Sequence, residues 1–393
     1  AGALVARALG AGDEQEAKRK ATHALIYGFV FGAIFAGLVW LNLGFFVTLL
    51  GASGETHALA VLYLQIIVPT LPFLIIGMVG GAILRAHGDA KRAMMATIYG
   101  GLVNAVLDPI LIFGLDLELT GAALASVAAR LTIAAVSLSP IIKHYGGLVK
   151  PDTRDLMLDL RPIFALAFPA ILTQLATPIG SAYVTRSMAE YGEAAVAGMA
   201  IVGRLTPIAF GVLFALSGAV GPIIGQNYGA GQHDRVRGGF LAGISFVGMF
   251  VAFMTALLYL LRAPIADIFN ADGITRELVY LFCGPLALVF FFNGLLFVAN
   301  ASFNNLGHPY YSTWLNWGRH TIGTIPLVML GAAWYGAAGV MIGQAVGGIM
   351  FGLLSAWLAW RVMSKVESCS VEVNKPAPFA REARQMQHGS WKR

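Results

Sequence analysis

Ten apolar stretches, each about 20 residues or longer, take up most of this 393-residue chain. A run of that length crosses a bilayer as a helix. The spans are expected at 22–50, 57–85, 92–114, 119–143, 163–189, 194–226, 238–261, 277–303, 310–333 and 336–363, and residues 1–9 read as the end of a further helix. Composition agrees. Charged residues make up 12% and hydrophobic residues 58%, against about 25% charged in soluble domains, and the mean hydropathy is +0.73. The expected fold class is an all-α polytopic membrane protein. Forty-seven glycines suit it, because Gly lets membrane helices approach closely. Cys283 and Cys369 provide neither a disulfide framework nor metal-ligand spacing.

A repeat organises these spans. Gly10-Ala11-Gly12 recurs 219 residues later as Gly229-Ala230-Gly231, and Gly88 in AILRAHGD recurs at the same offset as Gly307 in ASFNNLGHP. Two landmarks keeping one offset point to a duplicated unit, and in so apolar a chain to a transporter with two halves around a central site. The second glycine motif follows about 60 residues of helical pattern and the first almost none. The expectation is therefore a chain lacking its first helix and most of its second. It would hold 10–11 of 12 transmembrane helices in two pseudo-symmetric six-helix lobes. The boundaries are 1–143 for the N-lobe, 144–162 for a cytoplasmic linker, 163–363 for the C-lobe and 364–393 for a disordered cytoplasmic tail. The linker segment DTRDLMLDL reads as a short amphipathic surface helix.

Charge gives the sidedness. Lys18, Arg19, Lys20, Arg85, Lys91, Arg92, Lys143, Lys150, Arg154, Arg161, Arg235 and Arg237 fall in alternate loops, and the tail is basic. The intervening loops hold no Lys or Arg, apart from Arg262 and Arg276 in one of them. This positive-inside pattern places the glycine-turn loops, the linker and the tail in the cytoplasm. It also explains the formal charge of +6 without nucleic acid. The expected location is the bacterial inner (plasma) membrane, in contact with the lipid bilayer as a monomer.

The segments LGAGD and QNYGAG, LRAHGDAKRAMMATIYGGLVNAVLDPILIFG, TGAALAS and AIVGRLTPIAFGVLFALSGAVGPIIGQNYGAG resemble the multidrug and toxic compound extrusion (MATE) family of secondary transporters. The resemblance covers residues 1 to about 363. It implies two six-helix lobes around a central cleft, exporting organic substrates in exchange for protons or sodium ions.

A carboxylate inside hydrocarbon is costly and usually functional. Asp108, in GGLVNAVLDPILIFG, is the one acid well inside a span, and Asn104 lies one helical turn before it on the same face. Pro109 lacks an N–H, so the carbonyl of Ala105 loses its usual helical donor. Together these groups suit a proton site or part of an oxygen-ligated Na+ site at Asp108 and Asn104. Burial favours the neutral form of a carboxylate, which is what proton coupling needs. The alternative is a packing polar residue near the outer interface. The family's DNA-damage-inducible (DinF) branch places an Asn and an Asp at this spacing in its fifth helix and a hydroxyl in its sixth. Asn104, Asp108 and Ser126 match those positions, and for Ser126 close helix packing is the alternative. That branch's first-helix Asp would lie ahead of this sequence. The NorM-type branch uses a seventh-helix Glu, but the span here, FPAILTQLATPIGSAYVTRSM, has none.

Gln174, Thr177, Ser181, Asn293 and Arg204 are the candidate substrate-cleft residues, with satisfied helix–helix hydrogen bonding as the alternative for the first three. Arg204 is read as an embedded cation with a structural role, paired with a carboxylate or backbone carbonyls or snorkelling to an interface, and Arg130, Arg319 and His320 raise the same question. No Lys-Ser/Thr follows the glycine turns as in a phosphate loop. The eight His are dispersed, which argues against an enzyme. No cofactor is expected; the coupling ion is H+ or Na+, and the substrates are small cationic or amphipathic organic compounds. The second reading is a lipid-linked oligosaccharide flippase, which would need clustered cations where only Arg130, Arg204 and Arg319 are candidates.

Overall fold

The computed structural model describes residues 1–373, with side-chain surroundings through Lys365. Every element among the described residues is helical. The α-helices are α1 (Gly2–Gly10), α2 (Glu14–Leu41), α3 (Leu43–Leu49), α4 (Gly54–Ile67), α5 (Leu71–Ala86), α6 (Ala90–Pro109), α7 (Glu118–His144), α8 (Thr153–Ala189), α9 (Glu193–Gly229), α10 (His233–Ile268), α11 (Gly273–Leu281), α12 (Ala287–Leu306), α13 (Pro309–His320) and α14 (Ile325–Val373). Nine helical runs among the described residues are long and apolar enough to cross a membrane. Large apolar side chains on them, among them Phe35, Phe113, Ile208, Leu260 and Trp334, are exposed, as lipid contact requires.

Nine runs replace ten expected spans because 310–333 and 336–363 fall in one run, Pro309–Lys365. That run turns back on itself at Gly336, whose φ of 58° and ψ of −137° lie outside helical space. A β-carbon on Gly339 would overlap the Gly331 carbonyl, one on Gly343 the Leu327 carbonyl, and one on Gly347 the Gly323 carbonyl. The residue numbers of each pair add to the same value, which is the register of an antiparallel hairpin. The GxxxGxxxG stripe at 339, 343 and 347 thus lets two backbones touch along three turns. The glycines needed for this were visible in the sequence, but the packing direction was not.

Two boundaries differ from expectation. α8 begins at Thr153, ten residues before the expected span, because the helix continues through Pro162 rather than starting after it. The segment DTRDLMLDL is therefore the first turns of α8, and the non-helical connection shrinks to 145–152. α14 continues to Val373; the rest of the expected tail lies outside the described residues.

The chain separates into two compact units: Ala1–Gln174 with Phe214–Ala230 and Asn304–Thr313, and Leu175–Leu213 with Gly231–Phe303 and Trp314 onward. In the first unit, Val5, Ala6, Ala17, Ala21, Ile83, Leu84, Ala93 and Ile141 bring α1, α2, α5, α6 and α7 into one core. Alanine dominates it, so the helices approach closely.

The two copies of the glycine turn meet inside this unit. A β-carbon on Gly10 would overlap the Gln226 carbonyl, and one on Gly229 would overlap the Arg7 carbonyl. Arg7 and Gln226 are themselves 219 residues apart, the repeat offset. The contact is thus reciprocal, as about a twofold axis. Ala6 and Gly225, another pair at that offset, face each other, with a β-carbon on Gly225 falling 2.9 Å from Ala6 Cβ. Gln226 Nε2 also donates to the Ala86 carbonyl at 2.7 Å.

The linker is strapped to α2. Asp159 is only 4% exposed, yet it is a carboxylate. It pairs with Arg19 Nε at 3.1 Å and His23 Nδ1 at 2.7 Å. The Tyr27 hydroxyl donates to the Leu156 carbonyl, and the Val149 N–H donates to Thr22 Oγ1 at 3.0 Å.

Candidate functional site

α6 and α7 set the geometry around Asp108. Gly100 lets the helices approach: a β-carbon there would lie 3.2 Å from the Ala129 carbonyl and collide with Ile133. Gly121 does the same farther along, facing the Leu111 carbonyl at 2.7 Å. The helices are therefore antiparallel, and interpolation between these contacts puts Ser126 level with the stretch from Asn104 to Asp108. Gly100, Asn104 and Asp108 recur every four residues, so the two polar side chains continue the stripe that faces α7. Asn104 Nδ2 donates to Asp108 Oδ1 at 3.4 Å, and all three candidates are half-buried. Beyond Pro109 the helix widens into a π-helical segment, Ile110–Gly114. Asp108 lies six residues, about 9 Å, from the end of that span.

Arg130, on α7, has a structural task. Its Nη1 donates to the Ile67 carbonyl and to Thr70 Oγ1, both at 2.9 Å. These acceptors sit where the helix tightens to 3-10 geometry between α4 and α5. Arg130 thus holds a distorted backbone and drops out of the cation cluster that a flippase would need.

Gln174, Thr177 and Ser181 share one exposed face of α8, while Ala176, Gly180, Val184 and Met188 form its buried face. Gly180 lies against the ring of His320, whose Nδ1 is buried without a hydrogen-bond partner. Arg204 is exposed on α9 and has no partner among the described residues. Asn293, on α12, is half-buried, and its Oδ1 is fully enclosed without a partner. Gly348 stands near both it and Arg319: a β-carbon on Gly348 would lie 3.5 Å from Asn293 Oδ1 and 4.0 Å from Arg319 Nε. Sequence reasoning named both residues separately but did not bring them together. The sequence signal was TIGTIP, a Thr/Gly cluster followed by Pro326, which marks a helix break next to Arg319.

The MatE family model matches residues 1–110 and 169–330. The chain belongs to the MATE family. The FAD transporter of Shewanella oneidensis is 26% identical over 93% of this chain and 82% of its own length. The multidrug export protein MepA of Staphylococcus aureus is 25% identical over 87% of this chain and 76% of its own. Among solved structures, the Vibrio cholerae MATE transporter VcmN in its bent form superposes with a TM-score of 0.85 at 25% identity, over 93% of this chain and 82% of that one. An outward-facing MATE multidrug resistance transporter shares the fold at 22% identity, with a TM-score of 0.86 over 93% and 83%. The chain is thus a multi-pass integral membrane protein and a MATE-family transporter.

Proposed function

We propose that this MATE-family chain is a secondary active antiporter that exports small organic compounds, cationic or amphipathic, in exchange for H+ or Na+. The observation that carries the coupling is Asn104 bonded to Asp108 on α6, with Ser126 of α7 at their level. A carboxylate, an amide oxygen and a hydroxyl there suit a proton or a small hard cation. Binding the ion removes the charge of Asp108 and favours one arrangement of the duplicated halves; release favours the other. The relatives' names, for multidrug export and FAD transport, support small organic cargo. The basic loops support a cytoplasmic linker and tail in the inner membrane of a bacterium. The chain acts as a monomer. In proteoliposomes, an imposed H+ or Na+ gradient is expected to drive uphill movement of a fluorescent organic cation such as ethidium, and collapse of the gradient with an ionophore to stop it. Equal movement with and without a gradient would overturn the reading.

A further inference from the structure

An arginine sits where the first arm of the Pro309–Lys365 run breaks. α13 starts at Pro309, and Arg319 lies ten residues on, about 15 Å along the axis. The hydrocarbon core is about 30 Å thick, so with Pro309 at the membrane edge Arg319 is at mid-depth and beyond snorkelling reach. The helix stops immediately after His320. Residues 321–324 form turns, the Gly323 N–H reaches back to the Gly318 carbonyl at 2.8 Å, and the Thr324 hydroxyl bonds the Arg319 carbonyl at 2.8 Å. Pro326 then removes a donor from the first turn of α14. Irregular backbone at this depth persists only where it is packed in protein or lines a cavity. Broken helices are also where transporters gather polar groups for cargo.

Arg319 lacks the compensation that Arg237, Arg262 and Arg276 of its unit have and, unlike the equally unpaired Arg204, it is not exposed. Arg237 lies over the Trp360 ring at 4.1 Å, Arg262 over the Tyr259 ring at 4.1 Å, and Arg276 pairs with Asp267 at 3.2 Å. No carboxylate, carbonyl or ring pairs with the Arg319 guanidinium among the described residues. The carboxylates between residues 175 and 365 are Glu190, Glu193, Asp234, Asp267, Asp272 and Glu277, all in loops or within five residues of a helix end. Asn293 Oδ1, an enclosed acceptor also without a partner, lies on the same side of Gly348 as Arg319 Nε, within 3.5 Å and 4.0 Å of where a β-carbon on Gly348 would stand, and the missing side chain leaves that space open. An uncompensated cation inside a membrane is costly and is kept where a ligand supplies its counter-ion.

We propose that Arg319 and Asn293 form a mid-membrane subsite for an anionic group, phosphate or carboxylate, on the exported compound. The guanidinium fork takes two oxygens of the anion, a geometry it matches better than an ammonium does. Asn293 Oδ1 accepts from an adjacent O–H or N–H of the same molecule. This deepens the export reading, on which it rests, by naming organic phosphates and carboxylates as cargo.

Riboflavin 5′-phosphate and riboflavin differ only by the phosphate and are both fluorescent. Purified full-length protein in detergent is expected to bind the phosphate ester about 10-fold more tightly or better, the worth of one charge-assisted hydrogen bond. Asn293→Asp places a carboxylate beside Arg319 with almost no change of shape and is expected to bring the ratio to about one. Arg319→Gln removes the preference, whereas Arg319→Lys, which keeps the charge but loses the fork, keeps part of it and controls for folding. Equal or undetectable binding by the wild type overturns the subsite, as does a preference that survives Asn293→Asp. Displacement of the phosphate ester by phosphatidylglycerol would assign the subsite to a lipid headgroup and overturn the cargo assignment; resistance to it supports the cargo. The ratio is read at equilibrium without a gradient. A protein that keeps the preference but moves nothing under H+ or Na+ gradients therefore loses the antiport reading alone.

Discussion

Asp159 is a carboxylate that the fold can bury only because Arg19 and His23 meet it. Truncation to Ala leaves two donors facing an empty space and releases the linker from α2. Asp159→Ala is expected to destabilise the protein by about 1.5–3 kcal/mol, the range for hydrogen bonds to charged groups, as a lowered Tm in detergent. Asp89 gives a second residue-level test. It caps α6 through the Arg92 N–H at 3.1 Å and also accepts from the Arg92 guanidinium at 2.7 Å and the Tyr145 hydroxyl at 2.8 Å. Burial works against its ionisation, but these three donors together hold its carboxyl below the ordinary value of 3.8. A depressed folded-state value means the stabilisation is complete at neutral pH and is lost as pH falls through that lower value. Asn caps helices as well as Asp does, so Asp89→Asn isolates the charge. The variant is expected to be less stable than the wild type at pH 7, by under about 1 kcal/mol, and so to melt lower, and the gap is expected to close in acid. A gap that is constant with pH would contradict this account. Asp159 and Asp89 also differ in legibility. The Asp-x-x-Arg cap at 89 is local and readable, whereas the partners of Asp159 lie 136 and 140 residues away, a separation no local pattern encodes.

At the level of elements, hydropathy located the spans because lipid imposes length and apolarity on each one. It misjudged their joints. Pro162 looks like a helix start but lies inside α8, and hydropathy passes over the break at 321–324 because TIGTIPLVML stays apolar through it, leaving only the Thr/Gly cluster and Pro326 to mark it. Neither joint changes hydropathy, so hydropathy alone does not reveal it. The glycine stripe of α14 is the element most exposed to test. Gly→Ala in an open helical position stabilises by about 0.5–1 kcal/mol, and Gly238 on α10 has nothing within 4 Å of where a β-carbon would stand. Gly343 faces the Leu327 backbone, which cannot move aside as a side chain could. Gly238→Ala is therefore expected to raise Tm, and Gly343→Ala to lower it through a destabilisation of about 1–3 kcal/mol, the usual cost of overpacking. Equal effects at the two positions would mean that the hairpin is not packed as described.

For the whole molecule, the duplication read from two glycine turns becomes a physical contact, with Gly10 on Gln226 and Gly229 on Arg7. The scaffold is repeated but its charges are not. The acid inside a span belongs to the first copy, and Arg204 and Arg319 belong to the second. A transporter built this way can separate tasks, with ion coupling at Asp108 and cargo recognition elsewhere. The pairing of Asn104 with Asp108 was readable because both lie on one helix; the level of Ser126 depended on where Gly100 and Gly121 let α7 approach. The central claim, that Asp108 couples an ion gradient to export, is tested most directly with Asp108→Asn in proteoliposomes. The side chain keeps its size and its bond to Asn104 but cannot take up a proton or hold a cation by charge. The account expects uphill, gradient-driven ethidium transport to fall at least about 10-fold, while ethidium still binds and the protein remains monodisperse. Gradient-driven transport at the wild-type rate in Asp108→Asn would contradict it.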